Sequence, residues 1–142
     1  MSITYSLYLH SSRRPTEVLD QLSAGLGVHD GAVDALDLAV TAVTAPTDRF
    51  IREDFGVEPQ IRVSMRLHKD RLDKAQDRVV DVLTVSLGQS ADDLVLLRED
   101  ESIAYRRSAG SSELGEGDPL WADPARRSKV DRAQRRRRIT LG

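Results

Sequence analysis

Cysteine is absent from the 142 residues of this chain. Its absence excludes a disulfide framework, a thiol nucleophile and a thiolate metal site, and it is compatible with a reducing cytoplasm. No stretch approaches the roughly 18 consecutive apolar residues of a membrane span. The opening segment Met1–Leu9 alternates polar and apolar residues where a signal peptide would carry an unbroken apolar run, so the chain is expected to be soluble as encoded. Catalytic signatures are missing as well. His10, His29 and His68 stand far apart and outside any HExxH-like spacing, so they read as unrelated surface or loop histidines. Gly25 and Gly27 fall at a helix end, not between a strand and a helix, and so form no phosphate cradle. There is no GxSxG elbow, and the plentiful carboxylates are not paired by spacing. Neither catalysis, nor a cofactor, nor a small-molecule substrate is indicated.

What the chain does carry is charge, unevenly placed. The net charge of −2 divides at Pro124. Residues 124–142 hold eight basic side chains against Asp131, a balance of +7, while residues 1–123 hold 13 basic and 22 acidic side chains, a balance of −9. An acidic body with a basic end allows two readings: the end reaches for a polyanion, or it folds back on its own body. Length fits one domain, in which a chain of this size buries roughly two-thirds of its unfolded surface. The expected organisation is a domain over residues 1–123 followed by a basic C-terminal tail over 124–142.

Periodicity supplies the elements. Ile3, Tyr5, Leu7 and Leu9 alternate as a strand does. Pro15 opens a helix carrying Val18, Leu19, Leu22 and Leu26, and Gly27 stops it. The stretch from Val33 to Val43 alternates as a strand does at Leu36, Leu38, Val40 and Ala42, while its alanine and aspartate content would also suit a helix; strand is the reading favoured. The segment around Pro46, Gly56 and Pro59 reads as a turn-rich loop pinned by Phe50 and Phe55. Ile61, Val63, Met65 and Leu67 mark the clearest strand, with Arg62, Ser64 and Arg66 on its other face. Asp70–Leu87 is the clearest helix, with Asp70 as its N-cap and Gly88 as its stop. A strand from Leu94, a charged turn at Glu99–Asp100–Glu101 and a return through Ile103 and Tyr105 form a hairpin with a loop longer than two residues. The glycine- and serine-rich stretch from Arg106 to Pro119 reads as a mobile loop, after which Trp121 anchors the chain on the core. The fold expected is α+β: a mainly antiparallel sheet of about five strands with two helices packed on one face.

Two charged features stand out. Asp70, Asp73, Asp77 and Asp81 recur at three-to-four spacing and share one helix face, which is either an ordinary solvated face or a ridge that docks a basic partner. Glu99, Asp100 and Glu101 extend the acidic surface from an exposed turn. At the other end, Arg135, Arg136, Arg137 and Arg138 form a basic tetrad suited to nonspecific phosphate contact, but the tail lacks interleaved aromatics and matches no nucleic-acid-binding signature.

The run from Phe55 to Ser108, "FGVEPQIRVSMRLHKDRLDKAQDRVVDVLTVSLGQSADDLVLLREDESIAYRRS", resembles the Sit-type immunity proteins, the swarm-inhibition toxin immunity family, third class. The likeness runs in order from the first strand at Ile3 to "PLW" at Trp121, with Gly56 and Arg66 among its markers. It implies an intracellular, non-catalytic protein that binds and neutralises a cognate protein toxin delivered by neighbouring cells, without a cofactor. No toxin-contact residue comes with the resemblance, so the acidic residues above are proposed on charge and exposure alone. The rival reading is a nucleic-acid-associated module using the arginine-rich tail.

Overall fold

The computed structural model describes residues 2–26, 38–44, 49–57, 59–89, 92–108 and 111–141. Strand β1 (Ser2–Leu9) is the hub of the sheet: it pairs antiparallel with β3 (Ile61–His68) on one side and with β4 (Leu94–Arg98) on the other. Outside β3 lies β2 (Leu38–Thr44); outside β4 lie β5 (Ser102–Ser108) and β6 (Ser111–Leu114). The six described strands run β2-β3-β1-β4-β5-β6, every neighbouring pair antiparallel. The α+β reading holds, with one strand more than expected. The extra strand is β6, in the stretch expected to be a mobile loop; Arg106, which also forms an ion pair with Glu113, pairs with it across the ladder. Ladder hydrogen bonds satisfy the backbone there despite the serine-rich composition.

The two faces of the sheet are covered unequally. Period-two alternation sends Tyr5, Leu7 and Leu9 of β1, Val63, Met65 and Leu67 of β3, and Leu94 and Leu96 of β4 into one large apolar cluster. Helices α1 (Pro15–Leu26) and α3 (Leu72–Gln89) cover that face, α1 through Val18 and Leu22, α3 through Ala75, Val79, Val82, Leu83 and Leu87. Asp70 lies in a 3-10 turn, Lys69–Arg71, that leads into α3, and Gly88 is inside the helix instead of ending it. The opposite face holds a smaller cluster of Tyr8, Val95, Leu97, Ile51, Phe55 and Val57. Ile51 and Phe55 come from α2 (Arg49–Phe55), a short helix where a turn-rich loop was expected. Ile51 and Phe55 are four apart, so a single turn of helix brings both onto the sheet. Helices therefore sit on both faces, and β4, buried on both, reads as the unbroken run Leu94–Leu97. The first part of the Val33–Val43 strand reading, like His29, lies outside the described residues; the remainder is β2.

A 3-10 turn, Pro119–Ala122, returns the chain to the core. Trp121 is buried, and its indole Nε1–H donates to the Ala104 carbonyl at 2.8 Å, which anchors this segment as expected. Residues 124–141 then form α4 (Pro124–Leu141), with Asp123 Oδ1 accepting from Ala125 N–H at its start. The segment expected as a tail is thus a helix. Its buried Val130 and half-buried Ala133 pack into the main core cluster.

Candidate partner-binding surface

The acidic ridge and the basic helix meet. On α3, apolar residues at three-to-four spacing face the sheet, so the aspartates one position away fall along the seam where α4 lies. Arg126 is the centre of the contact. Its Nη2 donates to Asp73 Oδ1 at 2.7 Å and to the Asp73 carbonyl at 3.0 Å, its Nε to Asp77 Oδ1 at 2.8 Å, and its Nη1 to Gln76 Oε1 at 3.3 Å. One helical turn on, Lys129 Nζ donates to Asp81 Oδ1 at 2.8 Å, while Arg78 reaches Asp81 Oδ2 at 3.0 Å. At the Arg126 contact burial is one-sided: the arginine side chain is 5% exposed, the Asp73 side chain 91% and that of Asp77 46%. Burial by itself lowers the pKa of the Arg126 guanidinium, but the hydrogen bonds and charges of Asp77 and Asp73 outweigh it and the net shift is upward. Beside the contact, an open groove of about 440 Å³ runs between the helices, lined by Lys74, Asp77, Arg78, Asp81, Arg126 and Lys129 among others.

The hairpin turn is a second charged knot. Glu99 and Asp100 both have φ of 55°, in the left-handed region that non-glycine residues seldom occupy. Side chains hold them there. Glu99 Oε1 accepts from Thr4 N–H at 2.8 Å; Asp100 accepts from Tyr8 Oη at 3.2 Å and from Arg62 Nη2 at 3.1 Å. Arg62 also lies 5.8 Å over the Tyr8 ring. Glu101 N–H closes the turn on the Arg98 carbonyl at 3.0 Å, and the Glu101 side chain is exposed.

Of the acidic residues singled out from sequence, the fold brings Asp73 and Asp77 together on one guanidinium and places Asp81 on Lys129 and Arg78. Asp70 and Glu101 are exposed. Pairing of Ser2 with His68, and of Thr4 with Glu99, puts the approach to α3 and the hairpin turn at the same end of the sheet. Asp100 faces the α2 side through Arg62 and Tyr8. Arg135–Arg138 occupy the last turns of α4, where cations offset the helix dipole.

Sequence reading missed Arg126. The signal was present in the complementary spacing of Arg126 and Lys129 against Asp73, Asp77 and Asp81, but only a known packing of the two helices picks that match out. It also missed the buried pair in which Tyr5 Oη donates to Asp118 Oδ1 at 2.8 Å, an oxygen that also accepts from Leu120 N–H at 2.9 Å. Burial first, then the Asp118 charge and hydrogen bond, push the Tyr5 hydroxyl far above its ordinary pKa. Among the described residues no group of three histidine, aspartate or glutamate side chains is placed to hold a metal ion.

In class this is an antiparallel α+β domain whose charged side chains tie helix to helix and turn to strand. The chain belongs to the SitI3-like family, which it matches over residues 3–125. No curated protein and no solved structure matches it. Among the described residues no helix is long and apolar enough to cross a membrane.

Proposed function

We propose that this chain is a non-catalytic immunity protein that binds and neutralises a cognate bacterial toxin in the cytoplasm of the cell that makes it. Membership of the SitI3-like family over residues 3–125 carries this reading. The mechanism is occlusion: one immunity protein covers the working surface of one toxin, which requires a complementary face and no reacting group or cofactor. Residues 1–123 form the immunity domain in this reading, and residues 124–142 are appended to it. The contact surface is acidic. Asp70, Asp73 and Glu101 are its outward carboxylates, and Asp77, Asp81, Glu99 and Asp100 add to the field while holding internal contacts. A toxin with a basic substrate cleft is attracted to such a face, because complementary charge accelerates encounter and sets specificity.

The nucleic-acid reading draws less support. Arg126, Arg127 and Lys129 are held by Asp73 and Asp77, by Glu116, and by Asp81, which leaves the polyanion contact to Arg132 and Arg135–Arg138.

The direct test is whether the gene beside this one encodes a toxin that kills cells unless this chain is co-expressed. The expected outcome is survival of cells that carry both and a complex of equal stoichiometry on purification. Absence of protection together with absence of a complex would end the immunity reading. In the same assay Asp70→Lys with Glu101→Lys should weaken binding by roughly tenfold or more without unfolding the domain. Unchanged affinity in that double variant would remove the acidic face and leave the immunity reading standing.

A further inference from the structure

Through its described side chains, those of residues 124–134, α4 is held largely by charged and polar contacts. Among its residues with described side chains, Val130 is the fully buried apolar one and Ala133 packs at the margin of the core; α3, by comparison, buries Ala75, Val79, Val80, Val82, Leu83 and Leu87. The remaining described contacts are polar: Arg126 on Asp73, Asp77 and Gln76 and Lys129 on Asp81, all on α3, and Gln134 Nε2 donating to the Tyr105 hydroxyl of β5 at 2.7 Å. The family match stops at residue 125, inside the first turn of α4, so nearly all of this helix lies beyond the matched stretch. The helix joins the domain through Asp123, which lies between the 3-10 turn and α4, is extended at φ −96° and ψ 114°, and is followed by Pro124.

We propose that α4 is a releasable strap that covers the acidic side of α3 and lifts as a unit about Asp123–Pro124, giving Asp73, Asp77 and Asp81 to a basic helix of a partner protein. Three features support exchange in place of permanent closure. Asp73 and Asp77 remain 91% and 46% exposed while bound, so an incoming cation reaches them before Arg126 has left. The groove between the helices opens onto Asp77 and Asp81 and admits a side chain. Replacing one guanidinium by another also leaves the number of charge-assisted hydrogen bonds on the carboxylates unchanged. The identity of the partner rests on the toxin-binding reading; the strap itself does not.

Hydrogen exchange on the full chain tests the strap without any partner. Amides of Arg126–Gln134 are expected to exchange through local opening and to accelerate by about tenfold between ~0.05 M and ~1 M sodium chloride, because salt screens the ion pairs that close the helix. Amides of β1 and β3 should keep their rates. Exchange of α4 and β3 amides in one cooperative event at every salt concentration would overturn the proposal. A second arm uses a labelled synthetic peptide of residues 124–141 as probe. It should bind full-length Arg126→Glu/Lys129→Glu at least about tenfold more tightly than the unaltered chain, since only the variant has vacated the face, and the binding should vanish at ~0.5 M salt. Equal binding to both proteins, or none to a folded variant, refutes the strap; should the variant fail to fold, the exchange measurement decides. Neither arm contains toxin, so loss of the strap and loss of the immunity reading are separate results.

Discussion

Arg126 illustrates how burial decides the worth of a charge. The cation is enclosed and its carboxylate partners are in water, so the two ways of breaking the contact are unequal. Replacing Arg126 by Met keeps an aliphatic stem in the same place and leaves two carboxylates that water can solvate; a loss of about 1 kcal/mol is expected. Replacing Asp73 and Asp77 by Asn strands a buried guanidinium, and a loss of about 3 kcal/mol is expected. Denaturant titration of the two variants checks the order, and a reversed order would show that the arginine is solvated after all. Tyr5 gives a pH prediction at the same scale. Its folded pKa is raised by burial and by Asp118, whereas in the unfolded chain the phenol ionises near pH ~10. The folded state thus keeps a proton that the unfolded state gives up. The resulting stability is full below about pH 10 and falls above it, by about 1.4 kcal/mol per pH unit for one proton. Tyr5→Phe should flatten that alkaline fall, which urea titrations at pH 9 to 11.5 would reveal; an unchanged slope would assign it elsewhere.

At the scale of elements, β5 and the turn after β6 show a backbone contact that leaves no room. Gly115 N–H donates to the Ala104 carbonyl at 2.8 Å, and a Cβ on Gly115 would lie 1.7 Å from the Ile103 carbonyl oxygen. A distance that short against backbone cannot be relieved by a side-chain rotation, so Gly115→Ala should force β5 and β6 apart and cost about 2 kcal/mol or more. Thermal unfolding measures it, and the near-ultraviolet dichroism of Trp121, which is hydrogen-bonded to the same Ala104, should change with it. The β4–β5 hairpin was legible from its short apolar run, its charged turn and the return through Ile103 and Tyr105. The left-handed pair Glu99–Asp100 was not, because two successive non-glycine residues seldom share that conformation and the contacts that hold it come from Thr4, Tyr8 and Arg62, far away in sequence.

At the scale of the molecule, three of the eight cations of the C-terminal segment meet the acidic body within the chain. Arg126, Arg127 and Lys129 neutralise Asp73, Asp77, Glu116 and Asp81 within the chain. Partner binding is therefore expected to survive deletion of residues 135–142, which removes the arginine tetrad but leaves every α4 side chain described in contact with α3. Isothermal titration against the toxin would measure this, and loss of binding on deletion would move the functional contact to the tetrad. Nucleic-acid binding would instead appear as an affinity that falls steeply with salt and disappears with the same deletion.

Sequence by itself determined the sheet strands β1, β3, β4 and β5 and the two long helices α1 and α3, because apolar residues at period two or period 3.6 have one way to reach a common core. It also determined that charge is unevenly placed, acidic over residues 1–123 and basic over 124–142. Only the tertiary structure decided that the serine-rich stretch pairs as β6, that α2 covers the second face, and that the basic segment lies on the acidic ridge. Each of those depends on a partner distant in sequence: Arg106 and Glu113 across a ladder, Ile51 and Phe55 against Tyr8, Arg126 against Asp73 and Asp77. Periodicity reports which side of an element is apolar and says nothing of what meets its charged side. The acidic ridge was visible from spacing alone, and the arginine that occupies it was not.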